Sequence, residues 1–571
     1  CLACVLALLT TPLDAQRGAA DGEWPTYGGD LGNTKYSPLE QIDRTNFHRL
    51  ETVWSWRSAD GFLSARTANR GEWWAHSRLI FDELNRLEPD RWRDGRPPTI
   101  TNLKATPLMV GGRLFINTPT SQGAAIDART GATLWIYNPK SYEEGTTTMS
   151  ARWNQRGVAY WSNWPDRRDE RILWGTGNGY LVCVDAKIGR PCADFGDDGR
   201  IDLMADIPRA RRGERDWLNA LLYSVQSPPI VVGDTVVTPM SISSLNIVKE
   251  KPPGWMRGFD VRTGRTKWTF HTIPQADEFG NDTWQADSWR STGKVGVWSI
   301  MSADPELGYL YLPLNTASPD YYGGHRSGSN LFAESLVALD LKTGERVWHF
   351  QFVHHGLWDY DLPAAPNLLD LTVAGQPVKA VAQITKQGFT FVFDRVTGEP
   401  LWPIEERPVS TETDLDGETP WPTQPFPTKP APFEYQGVTI DQLVDFTPAI
   451  REMAIEAVSP FRVGPLYTPQ SRRGTLFRPG IGGGANWSGA GMDPETGILY
   501  VPSQNAFGVK QFRDPNPDEG ATLRYIEIRG RDSSRPQMPQ GLPLFKPPYT
   551  RLTAIDLNTG EHVWMTPTGN G

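Results

Sequence analysis

Cysteine and histidine are scarce, with four Cys and eight His in 571 residues. Cys1 and Cys4 sit at the very start, which leaves Cys183 and Cys192 for the body of the chain. Beyond the opening Cys1-Leu2-Ala3-Cys4, no CxxC, HExxH or histidine cluster is present, which excludes the usual zinc and iron patterns from the body of the chain, and no CxxCH offers covalent haem attachment. Lys and Arg (57) are outnumbered by Asp and Glu (66), for a formal net charge of −9. With no basic run to offset that charge, a nucleic-acid surface is excluded. The apolar run in the opening "CLACVLALLTTPLDAQ" is too short to span a bilayer. Its apolar core and the small and polar residues behind it read as the tail of a secretory leader, with cleavage expected near Ala15 or Gln16. Residues 1–15 are therefore expected to be a partial leader and 16–571 the working domain. In an exported chain, Cys183 and Cys192 on either side of the turn "VDAKIGRP" either close into a disulfide or remain two core thiols.

Glycine (55) and proline (48) are abundant, a composition of many short strands and tight turns. The chain also repeats. "AIDARTGATLW" (125–135), "GFDVRTGRTKW" (258–268), "ALDLKTGERVW" (338–348), "VFDRVTGEPLW" (392–402) and "AIDLNTGEHVW" (554–564) share one template, with "CVDAKIGRPCA" (183–193) a degenerate copy. Each reads as a hairpin: Asp accepts turn N–H groups, Gly takes the positive-φ position, and the strand resumes toward a buried Trp. A second hairpin type recurs in "DPELGYLYLP" (304–313) and "DPETGILYVP" (493–502). Two alternating hairpin types suit the four-stranded blades of an all-β propeller. A β-sandwich array would not repeat one Trp-bearing hairpin so faithfully. The Pro-rich stretch 403–436 is expected to cross one face as a loop. The last copy ends seven residues before the C-terminus, so the last blade is expected to be incomplete in this chain.

One stretch lies outside the template. "HHGLWDYDL" (354–362) gathers two histidines, a tryptophan and two aspartates at the end of a hairpin. The repeat Asp-x-x-Thr-Gly-x-x-x-Trp resembles the tryptophan-docking motif of the quinoprotein dehydrogenases, eight-bladed propellers that carry pyrroloquinoline quinone (PQQ) on their axis. "WPTYGGDLGNTKYSPLEQI" (24–42), "LKATPLMVGGRLF" (103–115), "RGVAYW" (156–161), "SPPIVVGDTVV" (227–237), "DYYGGHR" (320–326) and "TKQGFTFVFDR" (385–395) carry the likeness over almost the whole chain. Within the family the glucose, polyol and quinate branch is most similar. The methanol dehydrogenases, with their adjacent cysteines, are less so.

The resemblance implies a set of roles. Asp359, of the Trp-Asp pair, matches the catalytic base that takes the hydroxyl proton while hydride moves to the quinone. Asp361 is expected to support the loop, and His354 and His355 to shape the loop or the substrate pocket. Lys386 in "ITKQGF" matches a cofactor-contacting lysine that stabilises charge on the reducing ring. Trp298 matches the tryptophan on which the flat cofactor stacks, and Arg156 an arginine that pairs with a cofactor carboxylate. Ser241 and Trp487 are carried over as further cofactor contacts. Lys104 stands where several relatives have a cofactor-contacting Glu. Arg152 or Trp153, in "SARW", is expected to form the lid that other members make from vicinal cysteines.

The family also uses a divalent metal, usually calcium, and here the pattern departs. The ligand set implied is Asp359, Thr316 (beside Asn315), Ser244 and Asn246, so a neutral serine replaces the second carboxylate, and calcium affinity is expected to fall. The reading is a periplasmic PQQ-dependent dehydrogenase of a sugar, polyol, cyclic hydroxy acid or alcohol. It would pass electrons to ubiquinone or a cytochrome c, with peripheral membrane association. The alternative is a cofactor-free propeller serving as a binding or assembly scaffold, like the outer-membrane assembly propellers that share the repeat. Such a scaffold has no reason to keep Asp359, Lys386, Arg156 and Trp298 together.

Overall fold

The computed structural model describes residues 18–20, 22–58, 60, 103–141, 154–163, 165–208, 222–243, 247–528 and 533–569. Residues 1–15, expected above to be a leader, and Arg152, Trp153, Ser244 and Asn246 lie outside them. The repeats form what their residues dictate. Antiparallel four-stranded meanders run over 108–137, 159–202, 230–270, 302–351 and 491–567, and a three-stranded one spans 367–394. The architecture is an all-β propeller fold with long connecting loops. One loop carries the helix Pro448–Val458, which Thr447 caps by accepting from Ile450 N.

The template turn shows why six copies fold alike. Asp127 Oδ1 accepts from the N–H groups of Arg129 and Thr130 and from the Thr130 hydroxyl. Gly131 then turns at φ +73 and donates to Asp127 O at 2.9 Å. Asp260, Asp340 and Asp394 accept the N–H of the corresponding threonine in the same way. A β-bulge follows at a fixed offset, between Ala125 and Ile126, Gly258 and Phe259, Ala338 and Leu339, and Ala554 and Ile555.

The repeat tryptophans then tie one sheet to the next. Trp135 Nε1 donates to Ala186 O at 3.0 Å, Trp268 to Leu341 O at 2.8 Å, and Trp348 to Arg395 O at 3.1 Å; each acceptor directly follows the next turn's Asp. Trp54 does the same to Ala128 O. Each indole covers the turn glycine so closely that a Cβ on Gly189, Gly344 or Gly398 would lie 2.5–2.6 Å from its ring. Glycine is therefore required there twice, for its positive φ and for the indole above it. The degenerate copy gains a different staple, since Cys183 and Cys192 are disulfide-bonded.

Candidate active site

The sheet register decides which loops meet. In the sheet 302–351, Ser302 pairs with Tyr311, Pro313 with Leu336 and Ser335 with Gln351. The segments bearing Trp298, Thr316, Glu334 and 354–361 therefore leave from one end of that sheet. In the neighbouring sheet, Ile384 pairs with Thr390, and Lys386 lies just beyond it. Arg156, Ser227 and Trp487 each precede the first strand of their own sheet, as Trp298 does. Residues far apart in sequence thus share one set of loops over a rigid scaffold.

Asp359 is fixed by its neighbours. Trp358 and Tyr360 are fully buried and donate to Thr468 O and Pro479 O, both at 2.8 Å. Between them Asp359 adopts φ +57, a left-handed conformation that Asp tolerates better than most residues. The two histidines upstream serve the loop: His355 Nε2 lies 2.7 Å from Glu418 Oε1 and Nδ1 2.9 Å from Gly328 O, while His354 bridges Gln351 and Glu406.

Around Asp359 runs an alternating chain of charge. Lys386 Nζ donates to Asp359 O at 2.7 Å and Asp361 Oδ2 at 3.0 Å, and lies 3.2 Å from Asp359 Oδ2. Lys294 Nζ lies 3.7 Å from the other oxygen, Oδ1, and donates to Asp320 Oδ1 at 2.6 Å. The Tyr321 hydroxyl donates to Asp359 Oδ2 at 3.3 Å. Burial, with the negative charges of Asp361 and Asp320, pushes the Asp359 carboxyl up to about 7, against the pull of Lys386 and Lys294. Burial acts on Asp361 too, but Lys386, Lys294 and the Thr316 N–H outweigh it and hold Asp361 well below the usual carboxylate range. The pair is thus split into a permanent anion and a group poised to exchange a proton near neutrality.

Asp361 also orients an indole: Trp298 Nε1 donates to its Oδ2 at 3.0 Å. The Arg156 guanidinium sits between two indoles, its Cζ 5.1 Å from the Trp298 ring and 4.8 Å from the Trp487 ring. It donates to Ser227 Oγ at 2.9 Å and Trp298 O at 3.1 Å, while its buried Nε has no partner among the described residues. Burial lowers the Arg156 pKa to about 10, with only Tyr27 opposing. A desolvated guanidinium with a donor to spare is a site for an anion.

The sequence model for the glucose/ethanol/alcohol dehydrogenase β-propeller domain, which carries PQQ, matches residues 24–571. The chain belongs to the PQQ-dependent dehydrogenase family. It is 30% identical over 594 residues to the quinoprotein glucose dehydrogenase of Escherichia coli (strain K12), an alignment that covers 98% of this chain and 67% of that protein. It is 28% identical over 582 residues to the quinate/shikimate dehydrogenase (quinone) of Acinetobacter baylyi, covering 96% and 66%. The fold is also that of the quinohemoprotein alcohol dehydrogenase from Comamonas testosteroni, with TM-score 0.62 and 22% identity over 96% of this chain and 67% of that one. This quinoprotein is an oxidoreductase acting on CH–OH donors.

The residues present fit PQQ. A planar polyanion needs an aromatic face and a buried cation with free donors, and Trp298, Trp487 and Arg156 supply both. The described residues among them do not fit a divalent cation. Among the described residues no set of three or more His, Cys, Asp or Glu side chains is arranged to hold one. Thr316 donates its N–H to Asp361 and its hydroxyl to Glu334, which fixes its side chain against the site's own carboxyl groups. Both Asp359 oxygens already face an ammonium, so a cation at either would have to compete with Lys294 or Lys386 for it.

The other expected contacts are distributed as follows. Ser241 is buried in a short strand paired with Ser224, and Lys104 is exposed two residues before Thr106, whose N–H donates to Arg156 O. Lys294, Asp320, Tyr321 and Glu334 were not found from sequence. Asp320 and Tyr321 begin the quoted "DYYGGHR", but Lys294 in "TGKVGVW" carries no local mark beyond standing four residues before Trp298. Glu334 accepts from Thr316 Oγ1 at 3.0 Å, and burial foremost, with Asp361, pushes it up to about 8, so it is largely neutral at pH 7.

Proposed function

We propose that this quinoprotein oxidises a hydroxyl of a sugar, polyol, cyclic hydroxy acid or alcohol in the periplasm, with Asp359 as the base. The observation that carries this reading is the buried Asp359 carboxylate, raised to about 7 and gripped by two lysines, beside the Trp298–Arg156 platform. PQQ, when bound, supplies the two-electron acceptor for the substrate hydride. Arg156, with Trp298 and Trp487, would hold its plane and its negative charge. Asp359 takes the hydroxyl proton onto its carboxylate. Asp361 stays anionic and keeps Lys386 and the Trp298 indole in place. Lys386 donates to Asp359 O and Asp361 Oδ2 and lies 3.2 Å from Asp359 Oδ2, so a contact with the quinone would compete with these partners.

Electrons would then pass to ubiquinone or a cytochrome c. An eight-bladed ring, an exported chain and peripheral membrane association belong to the same reading; among the described residues no helix is long and apolar enough to cross a membrane. Substrate classes are supported by the relatives, which include glucose, quinate/shikimate and glycerol dehydrogenases. A cofactor-free scaffold would leave the buried Asp320–Lys294–Asp359–Lys386–Asp361 chain without a purpose, since apolar residues in place of buried ion pairs are often neutral or stabilising. The test is to titrate the protein with PQQ by absorbance and assay dye reduction over aldoses, polyols, quinate and simple alcohols. Saturable PQQ binding with turnover of one class supports the reading. No binding and no turnover on the panel would sink it.

A further inference from the structure

We propose that Lys294, clamped by Asp320, is the fixed cation on the Asp359 Oδ1 side of the active site, and that it stands in for a divalent metal there. The inference rests on the reading of Asp359 as the base. Lys294 is 5% exposed and Asp320 3%, and their 2.6 Å contact already neutralises the ammonium. A purely structural pair needs nothing more. Yet Nζ also points at Asp359 Oδ1, 3.7 Å away, on the carboxylate oxygen that Lys386 and Tyr321 leave free.

The backbone that delivers Lys294 is strained for the purpose. Lys294 and Val295 both have positive φ, +67 and +46, a conformation costly for any L-residue and worst for a β-branched one. Lys294 N donates to Pro252 O at 3.0 Å, and the segment is wedged by glycines. A Cβ on Gly254 would lie 2.4 Å from Lys294 O, and one on Gly293 2.3 Å from Pro252 O. Such strain persists only where the surroundings over-determine it, and it clusters at functional sites. A preorganised buried cation can orient a carboxylate and stabilise charge developing beside it, and does so without recruiting an ion. Lys294 is accordingly a positioning residue, acting through Asp359. The neutral Ser244 is consistent with a chain that no longer builds a second acidic ligand.

The experiment uses the full chain, freed of metal by dialysis against chelator. Calcium is titrated into it calorimetrically, with and without PQQ. PQQ binding is followed by absorbance, and metal retained after desalting is measured by plasma emission. The expected result is PQQ binding and dye reduction that persist in chelator, with retained metal well under one per chain. Lys294→Met is expected to lower kcat about 10²-fold with KM little changed, and Lys294→Arg to recover most of the loss. Tight calcium uptake by the wild type with turnover lost on chelation, or a Lys294→Met variant with wild-type kcat, would overturn the proposal. If the wild type neither binds PQQ nor turns over, the functional reading fails separately, and the calorimetric arm on the metal-free protein still decides whether calcium is taken up.

Discussion

Exchange of Asp359 for Asn isolates the chemistry from the scaffold. The amide cannot accept the substrate proton, and a positioned general base contributes about 10²–10⁴ in rate, or about 3–5 kcal/mol on the barrier. Little else changes. Lys386 keeps its bonds to the residue-359 carbonyl at 2.7 Å and to Asp361 at 3.0 Å, and Lys294 keeps Asp320 at 2.6 Å, so neither ammonium is left unpaired. Asn also tolerates the φ of +57 required at this position. The Tyr321 hydroxyl retains an acceptor in the amide oxygen. The variant should therefore unfold within a few degrees of the wild type and bind PQQ with the same absorbance titration, while dye reduction falls at least 10²-fold. A kcat within tenfold of the wild type, in a folded and PQQ-loaded variant, would refute Asp359 as the base.

Four further outcomes follow from the same geometry. Because Asp359 must be ionised to take a proton and its pKa is raised to about 7, kcat/KM should fall roughly tenfold per pH unit below 7 and level off above it. The same shift makes the folded state the stronger proton binder, so its contribution to stability, measured by denaturant unfolding, declines as pH rises from the ordinary carboxyl range through 7. Replacing Cys183 and Cys192 by Ala should cost about 2–3 kcal/mol, as expected for a short closed loop, in guanidinium unfolding of oxidised protein. Gly344→Ala should cost about 2–4 kcal/mol, since it combines positive φ with a Cβ 2.6 Å from the Trp268 indole. Gly375→Ala, equally left-handed at φ +78 but with nothing within 4 Å, should cost only about 1 kcal/mol.

The propeller repeats were legible because each template turn is a local object. Asp127, Thr130 and Gly131 close their hairpin with bonds spanning at most four residues, so a linear pattern predicts them. Asp359 was legible because "HHGLWDYDL" breaks that template. The disulfide was left open between two outcomes, since nine residues of separation permit pairing without requiring it. The metal expectation rested on Asp359, Thr316, Ser244 and Asn246; Ser244 and Asn246 lie outside the described residues, and the two Asp359 oxygens face Lys294 and Lys386.

What the sequence determined alone was the hairpin, its repetition and the odd carboxylate outside it, because bonds between near neighbours need no knowledge of distant chain. What tertiary structure decided was the partnership around that carboxylate. Lys294, Asp320 and Lys386 come from three separate loops, and only the stacking of sheets brings their charges within reach of Asp359. Burial then sets how strongly those charges act, and burial is a property of the packed whole.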